Sequence, residues 1–148
     1  MRKRWVSLVF PAIAFATLVV GAGPSLAGDC GRVRALEEFA STGSEPSGSR
    51  CETFVGLTSG NGVSCYWEFP FRDGAALAYY EATWSELTTC RGGIQSAAEN
   101  PVNHPDSYDI RELSVAQDIY RVTMKDKGRL NRTLVFFSFE QGKTYETD

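Results

Sequence analysis

Residues 53–69 read TFVGLTSGNGVSCYWEF, two β-type runs on either side of a Ser59-Gly60-Asn61-Gly62 turn signal. Thr, Phe and Val suit a pleated, half-buried backbone, and Asn-Gly between such runs is the strongest short hairpin signal. Strands are therefore expected over 53–57 and 63–69. Period-two alternation puts Val63, Cys65, Trp67 and Phe69 on one face of the second strand, and Ser64, Tyr66 and Glu68 on the other. One side of this ribbon is apolar and has to be covered.

The cover follows in the chain. Asp73 can cap a helix over 74–90 that stops at Arg91-Gly92-Gly93. Its inward stripe is Leu77, Tyr80, Trp84, Leu87 and Cys90, while Glu81 and Glu86 look outward. A Cys65–Cys90 bridge would staple that stripe to the apolar side of the hairpin. With a two-residue turn, Cys51 and Cys65 fall on opposite faces of the ribbon and cannot bond directly. The pairing Cys30–Cys51 and Cys65–Cys90 is preferred on this reading.

Before the hairpin, Asp29 can cap a short helix through Ala40, with Val33, Leu36, Phe39 and Ala40 as its apolar stripe. Residues 41–50, STGSEPSGSR, are a loop by composition. Residues 94–107, polar and broken by Pro101 and Pro105, read as a second, longer loop. Strands over 108–115, 119–124 and 130–139 then form an antiparallel meander, with Gly128 at a positive-φ position of the last turn. On the last strand Val135, Phe137 and Phe139 share one face and Leu134 and Phe136 the other, the mark of a central strand or of a face open to a partner. The order helix, hairpin, helix, three-strand meander predicts an α+β domain of about five antiparallel strands with the helices packed on one face. Trp67, Trp84, Phe69 and Tyr80 are assigned to the core, and Tyr66, Phe71 and Tyr79 to a partner surface.

Residues 1–27 are expected to be a secretory signal peptide. Arg2, Lys3 and Arg4 form a basic start, 5–20 is an uncharged apolar run, and Ser25-Leu26-Ala27 supplies small residues for cleavage after Ala27. Sixteen residues rise about 24 Å as a helix, short of the roughly 30 Å hydrocarbon thickness, so no membrane anchor is expected after cleavage. The remainder, 28–148, is one domain with periplasmic or secreted localisation. Fifteen Lys+Arg stand against eighteen Asp+Glu in the 148-residue chain, a net charge of −3. Without Arg2, Lys3 and Arg4 the balance is twelve against eighteen, or −6, which lacks the broad positive field that nucleic acid binding requires. Four cysteines in an exported domain read as two disulfides. No C-x-x-C spacing is present and His104 is the only histidine, so neither metal nor cofactor is expected.

Two clusters carry candidate chemistry. The loop 103–108, NHPDSY, offers His104, Asp106, Ser107 and Tyr108, and the turn Lys125-Asp126-Lys127-Gly128-Arg129 could grip a phosphate or carboxylate. The expected binding residues are His104, Asp106, Tyr108, Lys125, Lys127 and Arg129. Glu37, Glu38, Glu81 and Glu86 sit on polar helix faces and are expected to be solvated. No G-x-S-x-G turn supports Ser107 as a nucleophile. The function these residues favour is a non-enzymatic binding or accessory protein of the bacterial envelope, with an envelope or secreted protein as partner. The alternative is a small hydrolase or transferase using the 103–108 loop.

Cys65-Tyr66-Trp67-Glu68-Phe69, the 103–108 loop, and Lys125 to Gly128 followed by Thr133-Leu134-Val135-Phe136 together resemble small uncharacterised exported proteins of alphaproteobacteria. The resemblance implies a periplasmic location and no activity, and it transfers no site residue.

Overall fold

The computed structural model describes residues 29–56, 60–97 and 106–142. The expected leader, His104 and both loop prolines lie outside them. The chain runs α1 (Gly31–Thr42), β1 (Arg50–Val55), β2 (Asn61–Pro70), α2 (Gly74–Arg91), β3 (Ile94–Ala97), β4 (Tyr108–Val115), β5 (Asp118–Lys127) and β6 (Arg132–Glu140), with a 3-10 turn at Gly128–Leu130. The fold is α+β. All pairings are antiparallel, in the order β1-β2-β6-β5-β4-β3.

Six strands form where about five are expected. The additional one, β3, comes from the stretch read as loop. Its four residues, Ile-Gln-Ser-Ala, are all exposed and show no alternation. Gly93 lets it dock: its φ is +131°, and a Cβ there would lie 2.4 Å from the Ser114 carbonyl oxygen.

One face of the sheet is apolar throughout. Cys65, Phe137 and Val122 are opposite one another across β2, β6 and β5, and each is fully buried. Val63, Val135, Tyr120 and Leu113 extend this layer, and both helices pack on it. Helix α1 contributes Val33 and Leu36. Ala40, expected in its stripe, is exposed.

Helix α2 is rotated from its expected orientation. Its buried residues are Ala76, Tyr80, Thr83 and Leu87, whereas Leu77 is 49% exposed and Trp84 is half-buried. Side-chain size explains the difference. Ala76 and Thr83 let the helix backbone approach the sheet, and the Thr83 hydroxyl is satisfied within the helix by donating to the Tyr79 carbonyl at 2.7 Å. Tyr79, expected at a partner surface, instead packs against Trp67 and Phe69 at ring separations of 5.0 and 5.6 Å.

Asp73 caps α2 as expected, accepting from the Ala75 N–H at 2.8 Å. Asp29 does not cap α1. Cys30 occupies that position in a left-handed conformation, and Asp29 pairs with Arg34. The first-turn amides are met from another helix: Glu86 Oε1 accepts from the Arg32 and Val33 N–H groups at 2.6 and 3.3 Å. Glu86 Oε2 also takes the Arg32 guanidinium at 2.7 Å. Placing a carboxylate there satisfies orphan donors and complements the helix dipole.

The disulfides are Cys30–Cys90 and Cys51–Cys65, which overturns the expected pairing. The reason is loop parity. Val55 pairs with Asn61, so the hairpin loop spans 56–60, an odd five residues, and not the two-residue Asn-Gly turn. An odd loop brings Cys51 directly opposite Cys65 on the same face, 4.0 Å apart at Cα. Gly62 serves a different purpose from the one inferred: it lies within β2, opposite Phe54, and a Cβ would sit 2.3 Å from the Phe54 ring. Cys90 then reaches Cys30 and ties the two helices together. In the β5–β6 turn the positive φ belongs to Asn131 (53°), not to Gly128.

Tyr80 carries a buried hydroxyl without a hydrogen-bond partner among the described residues. Burial, with the Asp109 carboxylate nearby, holds its phenol well above the ordinary range. Arg111, clamped by Glu81 at 2.7 and 2.8 Å, lies 4.7 Å from the ring centroid. Tyr80→Phe keeps the ring and the cation–π contact while deleting the unsatisfied group. The variant is expected to match or exceed the parent stability by up to about 1 kcal/mol in urea unfolding.

Candidate functional site

Residues opposite one another in register share a face, and those on the far side from the core form a surface that no described helix covers. Tyr66, Phe136, Thr123 and Ile110 form a row across β2, β6, β5 and β4. The next row is Glu68, Leu134, Lys125 and Tyr108, and beyond it Arg132 pairs with Lys127. The Tyr66 and Phe136 rings are 5.4 Å apart, and Tyr108 is 42% exposed. On the other side of the aromatic row, Arg121 is held between Glu112 and Glu140 at 2.8 and 2.9 Å. The surface thus carries the aromatic pair Tyr66 and Phe136 with Leu134 beside it, Thr123 and Lys125 separating these from Ile110 and Tyr108, a satisfied ion-pair network at one side and a basic corner at the other.

That corner gathers most of the residues singled out in the sequence. Tyr108 is directly opposite Lys125. The Asp106 carboxylate accepts from the Gly128 N–H at 3.1 Å, which brings the two stretches together at the end of the β5–β6 hairpin. The Lys125, Lys127 and Arg129 side chains have no ion-pair partner among the described residues, whereas Arg132 lies 3.4 Å from Glu68. His104 lies outside the described residues.

Asp126, between the two lysines, faces the other way. Alternation turns it toward the core side, where it is only 8% exposed, so it is not part of a solvated turn. Its Oδ1 accepts from the Thr133 hydroxyl at 2.7 Å, and its Oδ2 accepts from the Ser107 hydroxyl and the Arg72 guanidinium, each at 2.9 Å. The Arg72 N–H donates to the Thr133 hydroxyl at 2.8 Å. Burial pushes the Asp126 carboxyl up. The Thr133, Ser107 and Arg72 hydrogen bonds outweigh it, leaving the carboxyl below its usual range. The Ser107 hydroxyl is oriented by the hydrogen bond it donates to this carboxylate. This cluster latches the turn before α2 and the start of β4 to the hairpin end. Arg72 escaped the sequence reading because nothing local distinguishes it from any arginine preceding a helix cap.

Of the four helix carboxylates expected to be solvated, Glu38 is exposed, and the other three are engaged. Glu86 caps α1, Glu81 clamps Arg111, and Glu37 accepts from the Tyr120 hydroxyl at 2.7 Å while pairing with Arg91. Burial, then the Glu37 carboxylate, pushes the Tyr120 phenol up. These residues tie helices to each other and to the sheet, which a one-dimensional helix face does not reveal.

At the opposite end of the strands, a cleft of about 530 Å³ opens on the helix side between Ala40 and Thr53, Val55, Val63 and Phe139. No charged side chain lines it, and most of its walls are exposed. All four cysteines are disulfide-bonded, and among the described residues no group of three or more His, Cys, Asp or Glu is placed to hold a metal ion. No described helix is long and apolar enough to cross a membrane. No protein-family model, curated protein or solved structure matches the chain.

Proposed function

We propose that this chain is an exported accessory domain of the bacterial envelope that acts by binding another envelope or secreted protein, and not by catalysis. The observation that carries the reading is the sheet face that no described helix covers, where Tyr66, Phe136 and Leu134 form an apolar patch and Ile110 and Tyr108 stand beyond Thr123 and Lys125 on β4. Aromatic residues are enriched at the cores of protein interfaces and among their anchors. The two disulfides fit an oxidising, extracellular-type environment and a small domain held rigid for recognition. Export through a cleaved leader and a periplasmic or secreted location belong to the same proposal.

The test is retrieval of a partner from the envelope fraction by the oxidised protein. Phe136→Asp and Tyr66→Asp are expected to reduce retrieval at least tenfold, as loss of an interface anchor does. Their melting curves and circular dichroism should remain those of a folded domain. Retrieval unchanged in both folded variants would overturn the reading.

A further inference from the structure

We infer that the partner presents an extended acidic–apolar segment, with acidic residues at two alternate positions followed by an apolar one, laid along β5 and β6 on the uncovered face. This rests on the binding role proposed above and names the chemistry of the partner.

Three observations converge on it. The first is charge. The chain carries net negative charge, yet Lys125, Lys127 and Arg129 sit together without ion-pair partners among the described residues, and Arg132 stands opposite Lys127. A positive corner on an acidic domain suits a local anionic group. An extended anionic surface such as a bilayer or nucleic acid would meet the repulsion of the whole domain.

The second is spacing. Lys125 and Lys127 alternate along one strand, about 6.8 Å apart along the backbone, and alternate side chains of any extended peptide have that same separation. Sheets stacked face to face keep their strand directions roughly aligned, and an extended segment laid in the same direction brings two alternate carboxylates to the two lysines.

The third is continuity. The row beyond Lys125 and Leu134 is Thr123 and Phe136, with Tyr66 at its far side, so the next alternate residue of the same segment lands on the aromatic strip. The corner already accommodates one carboxylate from its own chain, since Asp106 accepts from the Gly128 N–H. Lys125, Lys127 and Phe136 are thus the specificity-determining contacts: two for charge and one for the apolar residue.

The probe is the synthetic peptide Glu-Thr-Glu-Thr-Phe-Thr, titrated into the oxidised, isotope-labelled protein at low salt and followed by amide chemical shifts. The expected result is saturable perturbation of Lys125, Lys127 and Phe136. Lys125→Glu combined with Lys127→Glu should weaken affinity about tenfold or more, and raising the salt to roughly 0.3 M should weaken it several-fold. A peptide with both Glu replaced by Lys should not bind. A peptide with Phe replaced by Ser should bind more weakly and leave Phe136 unperturbed.

Binding that is indifferent to charge reversal would overturn the inference. Inorganic pyrophosphate reproducing the same shifts with equal affinity would overturn it in favour of a compact phosphate site. Binding to phosphatidylglycerol vesicles without peptide binding would overturn it in favour of a lipid surface. The two levels separate cleanly. If the envelope partner is retained by the double lysine variant but lost by Phe136→Asp, the acidic segment is wrong and the binding role stands. If both variants retain it, the binding role fails as well.

Discussion

Replacing Cys30 and Cys90 together by serine is expected to lower unfolding stability by about 4 kcal/mol. The bridge closes a separation of 60 residues, and restricting the unfolded chain over that length contributes about this much. Melting should fall by roughly 15 °C for a domain of this size. The corresponding loss for Cys51 and Cys65 is smaller, about 3 kcal/mol, because that bridge spans a separation of only 14. The ordering is informative. If the bridges were Cys30–Cys51 and Cys65–Cys90, serine at Cys30 and Cys90 would break both and leave two unpaired thiols. Non-reducing peptide mapping of the parent protein decides the connectivity, and calorimetry of the two double variants checks the magnitudes. A Cys30–Cys51 peptide would contradict the register of the β1–β2 hairpin.

Asp126→Ala should be the most damaging polar substitution, at about 2–3 kcal/mol near neutral pH. It leaves the buried Thr133 hydroxyl and the Ser107 hydroxyl without their acceptor and removes the carboxylate that holds Arg72. The Arg72 side chain is 49% exposed, so its share of the loss is discounted for solvent screening. The effect carries a pH signature. Because the folded-state pKa of Asp126 is depressed, its contribution is fully present above the unfolded-state value of about 3.9 and is lost as pH falls through the lower folded value. The stability difference between parent and variant should therefore be flat from pH 7 to roughly pH 5 and shrink in the acid limb below about pH 4. Urea unfolding at stepped pH measures it. A difference that grew on acidification would show that the carboxyl is raised in the folded state, and the latch geometry would be wrong.

Both expectations concern the frame that supports the sheet face no described helix covers. The helix layer is tied at Cys30–Cys90, at the Glu86 cap of α1 and at the Glu37–Tyr120 hydrogen bond, and the hairpin end of the sheet is tied at Asp126. None of these ties lies in the aromatic strip. Substitutions at Tyr66, Phe136 or the two lysines can therefore alter recognition without removing the ties that hold the domain, which makes the binding role separable from stability by experiment.

Part of this protein was legible residue by residue. Alternation in 63–69 marked one strand and its apolar face, the apolar run expected as a strand over 130–139 is β6 from Arg132 onward, the Asp73 cap located the start of α2, and Tyr108–Val115 was bounded correctly at both ends. Tyr108, Lys125, Lys127 and Arg129, proposed here as binding residues, stood out in the sequence as two clusters, and the β4–β5 pairing places Tyr108 directly opposite Lys125. Such features depend on neighbours a few positions apart, where strand and helix periods act directly. Other features depended on long-range placement. One residue of loop parity decided which cysteines meet, because a single-residue slip turns every side chain of a strand to the opposite face. The rotation of α2 followed from which small residues could approach the sheet. The sixth strand formed from a short exposed segment without alternation because an open edge beside β4 offered its backbone hydrogen bonds, and Glu37, Glu81, Glu86 and Asp126 acquired partners distant in the chain. Composition and local period determined the elements, their apolar faces and the α+β class. Register, covalent pairing and the burial of charge were decided only when the layers packed, since each is a relation between segments whose separation no local pattern encodes.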